Sequence, residues 1–222
     1  MFKKAIISAL LILATASAAW AQSPKVEVAG LFGYSLTDGV SGDPYKAGDG
    51  NTYDRVDPKD SMMFGASFGF FVKPSVEVGF MWRHQPTSLE ISGTTVKELA
   101  NMNIDGYHGF GMFYFGDPDS KVRPYLMGGL GATNYGGFSF ATTAGTTRTV
   151  SGVTRFSSTW GAGVKVYPSP KVGFQAGMQW TPTYIKSDAV GWWCDPWFGC
   201  YVVGNAQYSN QFEFVTGLTF RF

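Results

Sequence analysis

Two cysteines, Cys194 and Cys200, lie six positions apart in the segment GWWCDPWFGCYVVG. In an exported chain such a pair is expected to form a disulfide, which would close a small ring. The ring would limit the conformational entropy of the loop and so stabilise the folded state by about 2 kcal/mol in a simple chain model. Exposed aromatic clusters often mark binding surfaces, although the same rings could pack over neighbouring structure or lie in a lipid headgroup belt. Both interpretations stay open for the aromatic residues around the ring: Trp192, Trp193, Trp197, Phe198 and Tyr201.

His84, Ser88 and Glu90 share one parity and have the residue types of a hydrolase, namely a base, a nucleophile and an acid. Nucleophilic catalysis requires the histidine and the serine to lie within hydrogen-bond distance. In an extended strand, however, residues four positions apart are separated by about 13 Å. We therefore predict no catalytic residues, and the chain is not expected to be an enzyme.

The segment TDGVSGDPYKAGDGNTYDRVDPKD carries six aspartates and is the strongest candidate for cation binding. Asp49, Asn51 and Asp54 offer the oxygen ligands that calcium prefers. The spacing lacks the closing glutamate of a calcium loop, so a solvated polar loop is the favoured interpretation. His84 and His108 have no companion at metal-ligand spacing. We predict neither a metal site nor a cofactor.

The amino-terminal segment has the pattern of a secretory leader. Two lysines at residues 3–4 precede an apolar run over 5–19, and Ala-Trp-Ala follows at 19–21. This pattern predicts a signal peptide over residues 1–21, and the apolar run is too short to span a membrane. Loss of its two lysines reduces the 17 basic residues to 15 against 16 acidic ones, so nothing indicates a nucleic-acid partner.

Residues 22–222 are predicted to form one domain in which apolar and polar residues alternate. The closing segment NQFEFVTGLTFRF places apolar residues on one parity and polar or small residues on the other. Because side chains alternate between the two faces of a strand, each such segment predicts a strand with one apolar face. The same alternation recurs in segments that begin near 25, 61, 75, 123, 155 and 171. The segment MNIDGYHGFGMFYF carries aromatics on both parities, and we expect His108 to point inward and Tyr107, Phe113 and Phe115 outward.

The spacers between these eight strands alternate between short and long. KPS, GDPDSK and PSPK are tight turns, whereas residues 37–60, 88–101, 136–152 and 185–205 are predicted long loops. The pattern is typical of an all-β, eight-stranded antiparallel up-and-down transmembrane β-barrel with short periplasmic turns and four long extracellular loops. A soluble lipocalin-like barrel would place the apolar face inside, whereas here the face that carries the charges is the inner one.

The predicted inner face carries eight charged residues, which must be paired or hydrated inside a narrow barrel. Because the first and last strands are neighbours in a closed barrel, we expect Glu27 and Arg221 to lie close together. An internal salt-bridge network is favoured over an ion path, since eight strands leave room only for side chains. The predicted network consists of Glu27, Glu77, Arg83, Arg123, Arg155, Lys165, Glu213 and Arg221.

Aromatic residues are expected at both membrane interfaces. Trp82 and Trp180 fall toward the loop end of their strands, and Phe222 falls at the turn end. The span from Phe212 to Phe222 gives a height of about 25 Å at 3.3 Å per residue and a tilt near 40°. The last strand is therefore predicted to cross the membrane completely.

FEFVTGLTFRF, VRPYLMGGLGA and the eight-strand plan resemble small outer-membrane barrels of the class that includes the transmembrane domain of outer-membrane protein A. The resemblance covers residues 22–222 and implies that Leu218, Phe220 and Phe222 carry the signal for the barrel-assembly machinery. It implies the fold more strongly than the function, because barrels of this class include adhesins, lipid enzymes and narrow conduits.

We therefore predict a bacterial outer-membrane protein that contacts outer-membrane lipids and lipopolysaccharide and is a monomer. Its loops are expected to serve a structural role or to bind a surface ligand or host molecule. The alternative function is a porin-like conduit for ions or small hydrophobic molecules. A lipid-modifying enzyme is a distant third hypothesis.

Overall fold

The computed structural model describes residues 25–46, 50–141, 147–185, 194–195, 199–200 and 208–222. All eight predicted strands are present, interrupted by three pairs of shorter strands in the loops. In chain order the strands are β1 (Val26–Thr37), β2 (Val40–Lys46), β3 (Thr52–Pro58), β4 (Ser61–Lys73), β5 (Val76–Gly93), β6 (Val96–Tyr114), β7 (Val122–Tyr135), β8 (Phe138–Ala141), β9 (Thr147–Val150), β10 (Val153–Val166), β11 (Val172–Tyr184), β12 (Cys194–Asp195), β13 (Gly199–Cys200) and β14 (Tyr208–Arg221).

Eight of these strands close into an antiparallel barrel. The order around the barrel is β1, β4, β5, β6, β7, β10, β11 and β14, and β14 pairs again with β1. The closing ladder places Glu27 opposite Arg221. The prediction of an eight-stranded antiparallel barrel is therefore confirmed. No helix within the described residues is long and apolar enough to cross a membrane.

The outer surface is apolar, as the alternation predicts. Outward-facing side chains such as Phe32, Leu130 and Phe214 are more than half exposed. Lipid accepts these side chains, while every barrel strand satisfies its backbone groups through its two neighbours. His108 is fully buried inside the barrel, and Tyr107, Phe113 and Phe115 are exposed on the outer face, which confirms the orientation predicted for β6.

The periplasmic turns are short and their residues explain their geometry. The β6–β7 turn begins with Gly116 at φ 86°, a backbone conformation that glycine adopts without steric cost. Asp117 then accepts a hydrogen bond from the Asp119 backbone N–H at 2.9 Å, and Ser120 N–H bonds to the Asp117 carbonyl at 3.0 Å. Such local bonds allow these turns to reverse the chain within a few residues.

The prediction of a long loop over residues 88–101 is wrong. β5 continues to Gly93 and β6 begins at Val96, with Ser92 paired to Val96 at the hairpin tip. Beyond the barrel the free edge of β5 pairs with β3, as in the pair Asp57 and Glu90. The β5–β6 hairpin therefore continues beyond the barrel on the extracellular side, and β3 widens the sheet there. The other long segments contain the β2–β3, β8–β9 and β12–β13 pairs.

Candidate functional site

The periplasmic third of the lumen holds a buried ion network made of Glu27, Glu77, Lys165 and Arg221, which we call the periplasmic ion network. The Lys165 ammonium donates to both carboxylates, to Glu27 Oε1 and, at 3.1 Å, to Glu77 Oε2. Arg221 Nε donates to Glu27 Oε2 at 3.0 Å. Two carboxylates therefore balance two cations. All four side chains are at most 9% exposed, so their pairing offsets the cost of removing the charges from water.

Two tyrosines complete the periplasmic ion network. The Tyr167 hydroxyl donates to Glu27 Oε2 at 2.7 Å, and the Tyr114 hydroxyl donates to Glu77. Lys165 extends from β10, which is three strands away from β1 in one direction and from β5 in the other. Its side chain therefore crosses the lumen, and the network ties opposite walls of the barrel together.

Higher in the lumen lies a second polar group, the central polar network of Arg83, Glu213, His108, Ser157 and Thr181. Arg83 pairs with Glu213 across the lumen and donates to Thr181 Oγ1 at 3.0 Å. His108 Nε2 lies 2.8 Å from Ser157 Oγ, while its Nδ1 lies 3.5 Å from an Arg83 nitrogen. Catalysis by a His–Ser pair needs a carboxylate or similar acceptor to orient the base, whereas here a guanidinium faces the other ring nitrogen. This geometry favours a structural role.

Apolar side chains fill the lumen beside and between the two polar networks. Met63, Met81, Met112 and Met127 extend inward from four consecutive strands, and each is at most 6% exposed. They pack with Leu31, Phe110, Val215 and neighbouring rings. On β5, Met81 lies between Glu77 and Arg83, whereas Met112 pairs with Glu77 and Met63 lies two residues beyond Gly65, the partner of Arg83. The four methionines, which we call the methionine layer, therefore extend along the lumen wall. Methionine fills irregular space well, so the four side chains fill this space without strict shape requirements.

Apolar side chains cluster at the extracellular end of the lumen, and we call this cluster the apolar cap. It is built on the extension of β5 and β6 and on the strands of the neighbouring loops. Leu89 is 1% exposed and Tyr135 is also 1% exposed, so the cap excludes water as a protein core does. The cap consists of Val56, Leu89, Met102, Ile104, Tyr135 and Phe138.

A polar ring on the outer surface marks the extracellular edge of the apolar band. His84 Nδ1 lies 2.8 Å from Asp105 Oδ1, and Asn134 donates to Thr154 Oγ1 at 2.8 Å. The Trp180 indole N–H, on the far side, donates to an Asn210 side chain at 3.1 Å. Tryptophan with a satisfied indole N–H is typical of the headgroup level, and Trp82 lies beside His84 at the same height. Phe222 is exposed at the opposite edge.

The residue pattern matches one protein family along most of the chain. The model of the OprF membrane domain matches residues 6–189, more than four fifths of the sequence. The chain belongs to the OprF membrane domain family. Membership agrees with the closed barrel and with the resemblance to outer-membrane protein A, and it places the protein in the bacterial outer membrane. Among curated protein sequences, none matches the chain.

Solved structures share the fold at low sequence identity. The outer membrane protein OprG from Pseudomonas aeruginosa has a TM-score of 0.58 at 13% identity and covers 90% of this chain and 97% of its own. AlkL, determined in lipid bilayers, has a TM-score of 0.54 at 12% identity, with 92% and 94% covered. Neisserial surface protein A has a TM-score of 0.51 at 14% identity, with 89% and 97% covered. At these identities the likeness shows the fold alone.

Within this OprF-family barrel, the predicted inner charges occupy three environments. Six lie in or beside the two lumen networks, and Arg123 is buried at the periplasmic mouth, where its guanidinium contacts Tyr114 at 4.4 Å. Arg155 differs, because it is only partly buried and has no ion pair within the described residues. The predicted proximity of Glu27 and Arg221 is observed directly.

The hydrolase candidates do not assemble. His84 pairs with Asp105 on the outer wall, and Ser88 is buried beside the apolar cap. Glu90 instead pairs with Lys59 at 3.1 Å, and this hydrogen bond raises the pKa of the Lys59 ammonium above its usual value.

In the first loop, Arg55 pairs with Asp38 and Asp57 at 2.7 Å each, so part of the acidic charge is neutralised. No cluster of three metal-ligating His, Cys, Asp or Glu residues occurs in the described ranges. Asn51 and Asp54 are described, whereas Asp49 lies outside the described residues.

The aromatic candidates Trp192, Trp193, Trp197, Phe198 and Tyr201 also lie outside the described residues. The backbone pairing of β12 and β13 sets Cys194 opposite Cys200. Opposed residues of an antiparallel pair have Cα atoms about 4.5 to 5.5 Å apart, a separation that a disulfide can bridge. The disulfide stays a prediction, which the mass of the unreduced, alkylated protein would test.

The methionine layer and the inward tyrosines were not predicted from the sequence. Met63 and Met81 have the same parity as the polar lumen residues of β4 and β5, so the alternation does contain the signal. Because the inner face was expected to be small or hydrogen-bonding, these apolar residues were not recognised as a set. Tyr114 and Tyr125 were missed for the same reason.

Proposed function

We propose that this protein works at the cell surface, as a small outer-membrane barrel whose extracellular loops are structural or contact a surface ligand or host molecule. The observation that carries the proposal is the filled lumen. The periplasmic ion network, the methionine layer, the central polar network and the apolar cap together occupy the lumen. A lumen that conducts ions would need a continuous polar lining, which the methionine layer and the cap both interrupt.

The strands that extend beyond the barrel on the extracellular side also support a surface role. The β5–β6 hairpin extends past the polar ring and is widened by the β2–β3 hairpin. Ion pairs such as Arg55–Asp57 and Lys59–Glu90 brace the outer side of this extension, while the apolar cap fills its inner side. Such a platform holds loops at a defined height above the lipid, and the aromatic segment around Cys194 and Cys200 belongs to the same end of the barrel.

The test is adherence of cells that display the protein to host-cell monolayers and to immobilised matrix proteins. Replacement of Trp192, Trp193 and Trp197 by serine is expected to lower adherence at least about fivefold, because large aromatic anchors dominate binding energy. Val96→Ser, at the tip of the β5–β6 hairpin, is the matched surface control and should leave adherence unchanged. Equal adherence of the tryptophan variant and the parent, at equal surface display, would contradict a binding role for this loop.

A conduit for small hydrophobic molecules is the second candidate. The observation in its favour lies in the wall: the β10–β11 ladder lacks two pairs between Ser157–Thr183 and Trp160–Trp180, where Pro182 has no N–H to donate. The register is the same on both sides of this seam, and a Thr181–Thr159 side-chain hydrogen bond of 3.2 Å crosses it. A molecule leaving through this seam would not need to pass the methionine layer. Uptake of a fluorescent fatty acid by cells with and without the protein tests it, and Pro182→Thr, which restores a donor, is expected to reduce such uptake.

Export and assembly belong to the same proposal. The leader over residues 1–21 would be removed, so the amino terminus of the protein purified from outer membranes should be Gln22. Leu218, Phe220 and Phe222 all face lipid at the end of β14, a position that suits recognition by the barrel-assembly machinery. Lipids and lipopolysaccharide would surround a monomeric barrel. Deletion of Phe222 is expected to lower the folded fraction in the outer membrane.

A further inference from the structure

The periplasmic mouth of the barrel contains a cavity of about 730 Å³. It lies between the three periplasmic turns and the lower end of the lumen, so it is on the periplasmic side of the barrel. The β6–β7 and β10–β11 turns contribute Pro118 and Pro168 to its wall, which gives it stiff sides. The cavity is separate from the extracellular loops and from the methionine layer.

The charged residues that line this cavity are mostly cationic. Five cations line it, and the only acidic residue in its lining is Asp119. Lys73 and Lys121 are exposed at its rim, and neither has a carboxylate partner within the described residues. The cations are Lys25, Lys73, Lys121, Arg123 and Arg221.

The two arginines are buried and incompletely satisfied. Arg123 is 4% exposed, and its Nη2 donates to the Pro74 carbonyl, but its Nε has no partner and no carboxylate contacts it. Arg221 is 9% exposed and uses Nε for Glu27, while its Nη2 has no partner. A buried guanidinium donor without an acceptor is costly, so each of these atoms calls for an anion or an ordered water.

The nearby carboxylates are already used by other groups. Glu27 accepts from Lys165, Arg221 and Tyr167, and Glu77 accepts from Lys165 and Tyr114. Arg221 lies over the Tyr167 ring at 3.3 Å, and Arg123 lies over Tyr114 at 4.4 Å, so aromatic faces hold both guanidinium planes in place. The result is a pair of positioned guanidinium groups with free donors beneath a rim of lysines.

We propose that this periplasmic cavity binds an anionic phosphate group. Guanidinium groups match the oxygen geometry of phosphate, and flexible lysines add charge at the rim. Two sources offer this chemistry at this height: a phospholipid headgroup of the inner leaflet, or a small soluble phosphate compound of the periplasm. The proposal is independent of what the extracellular loops bind.

The test uses the refolded barrel in an uncharged maltoside detergent, because phosphocholine detergents would occupy the site. The Nε–Hε resonances of Arg123 and Arg221 are followed by NMR during titration with inorganic phosphate, and sodium chloride at equal ionic strength is the control. Saturable shifts of these two resonances, with no matching shift in chloride, are expected. A second titration with glycerol phosphate and a transfer into phosphatidylglycerol nanodiscs identify the source.

The lysines of the cavity are the residues to substitute, because they are exposed and their loss does not disturb the periplasmic ion network. Lys25→Gln/Lys73→Gln/Lys121→Gln is expected to weaken binding at least about fivefold, because each charge near an anion contributes modestly. Lys171→Gln, in the same β10–β11 turn but outside the cavity lining, is the matched control and should change affinity less than about twofold.

The titrations and the nanodisc transfer distinguish a soluble ligand from a lipid headgroup. Binding of free phosphate identifies a soluble ligand, and shifts seen only in phosphatidylglycerol nanodiscs identify a lipid headgroup; either supports the proposal. The proposal is overturned if neither condition shifts the two arginine resonances. It is also overturned if the triple variant, verified as folded by its gel mobility, binds as tightly as the parent.

Discussion

At the periplasmic end of the lumen, buried charges tie the walls together beside a cation-lined cavity, whereas at the extracellular end apolar side chains from five strands form the cap. The difference follows from what surrounds each end. Short turns leave the periplasmic mouth open to solvent, so the lysines at its rim stay hydrated, while the charges below them are buried and paired. The extended β5–β6 hairpin and the loop strands shield the extracellular mouth, so apolar residues are stable there.

The comparison also shows how a narrow barrel is stabilised from inside. Lys165 and Arg83 each pair with carboxylates three strands away, so both polar networks act across the lumen. The methionine layer contributes packing but no directional bonds. The polar networks therefore link opposite walls, and the apolar side chains fill the remaining space.

The largest expected loss of stability follows substitution of Lys165. Lys165→Met leaves Glu27 and Glu77 facing each other without their shared cation and should lower the free energy of unfolding by about 3 to 5 kcal/mol. Urea unfolding in lipid vesicles, followed by tryptophan fluorescence, measures it. The double variant Lys165→Met/Glu77→Gln keeps the balanced Glu27–Arg221 pair and should recover most of the loss. A Lys165→Met barrel as stable as the parent would show that the network does not hold the walls.

A smaller loss of stability is expected at the extracellular end of the lumen. Leu89→Ala removes a fully buried side chain from the apolar cap and should cost about 2 to 3 kcal/mol locally. Hydrogen exchange of the β5–β6 hairpin measures this local loss. Val96→Ala, at the exposed tip of the same hairpin, is the control and should leave exchange unchanged. Unchanged exchange in Leu89→Ala would mean that the cap is not a packed core.

The smallest effect is expected at Arg155. Its side chain is partly exposed and has no ion pair among the described residues, in contrast to Lys165 at the other end of the same strand. Arg155→Gln should therefore change the free energy of unfolding by less than about 0.5 kcal/mol. The same urea measurement checks it. A loss similar to that of Lys165→Met would show that charge alone, rather than pairing, determines lumen stability.

Alternation along the chain was sufficient to predict the strands, the barrel and the orientation of β6 around His108. Closure then brings the first and last strands together, which is why the Glu27–Arg221 pair could be predicted. The contacts of Lys165 could not, because its partners lie 138 and 88 positions away and depend on the tilt and stagger of the strands. Residue types alone do not specify these.

Two other features escaped prediction for a different reason. Residues 88–101 contain Gly93 between polar residues, which resembles a loop, and their strand pairing depends on β3 from another part of the chain. The methionine layer contradicts the expectation that a barrel interior is small and polar. The β3 pairing and the contacts among the methionines both join segments that are far apart in the sequence, so local pattern does not specify them.

Planar-bilayer conductance of the refolded barrel tests most directly whether the lumen is closed. The parent should show no conductance steps, because the two polar networks, the methionine layer and the apolar cap together fill the lumen. Reproducible steps from a folded parent barrel would contradict a filled lumen.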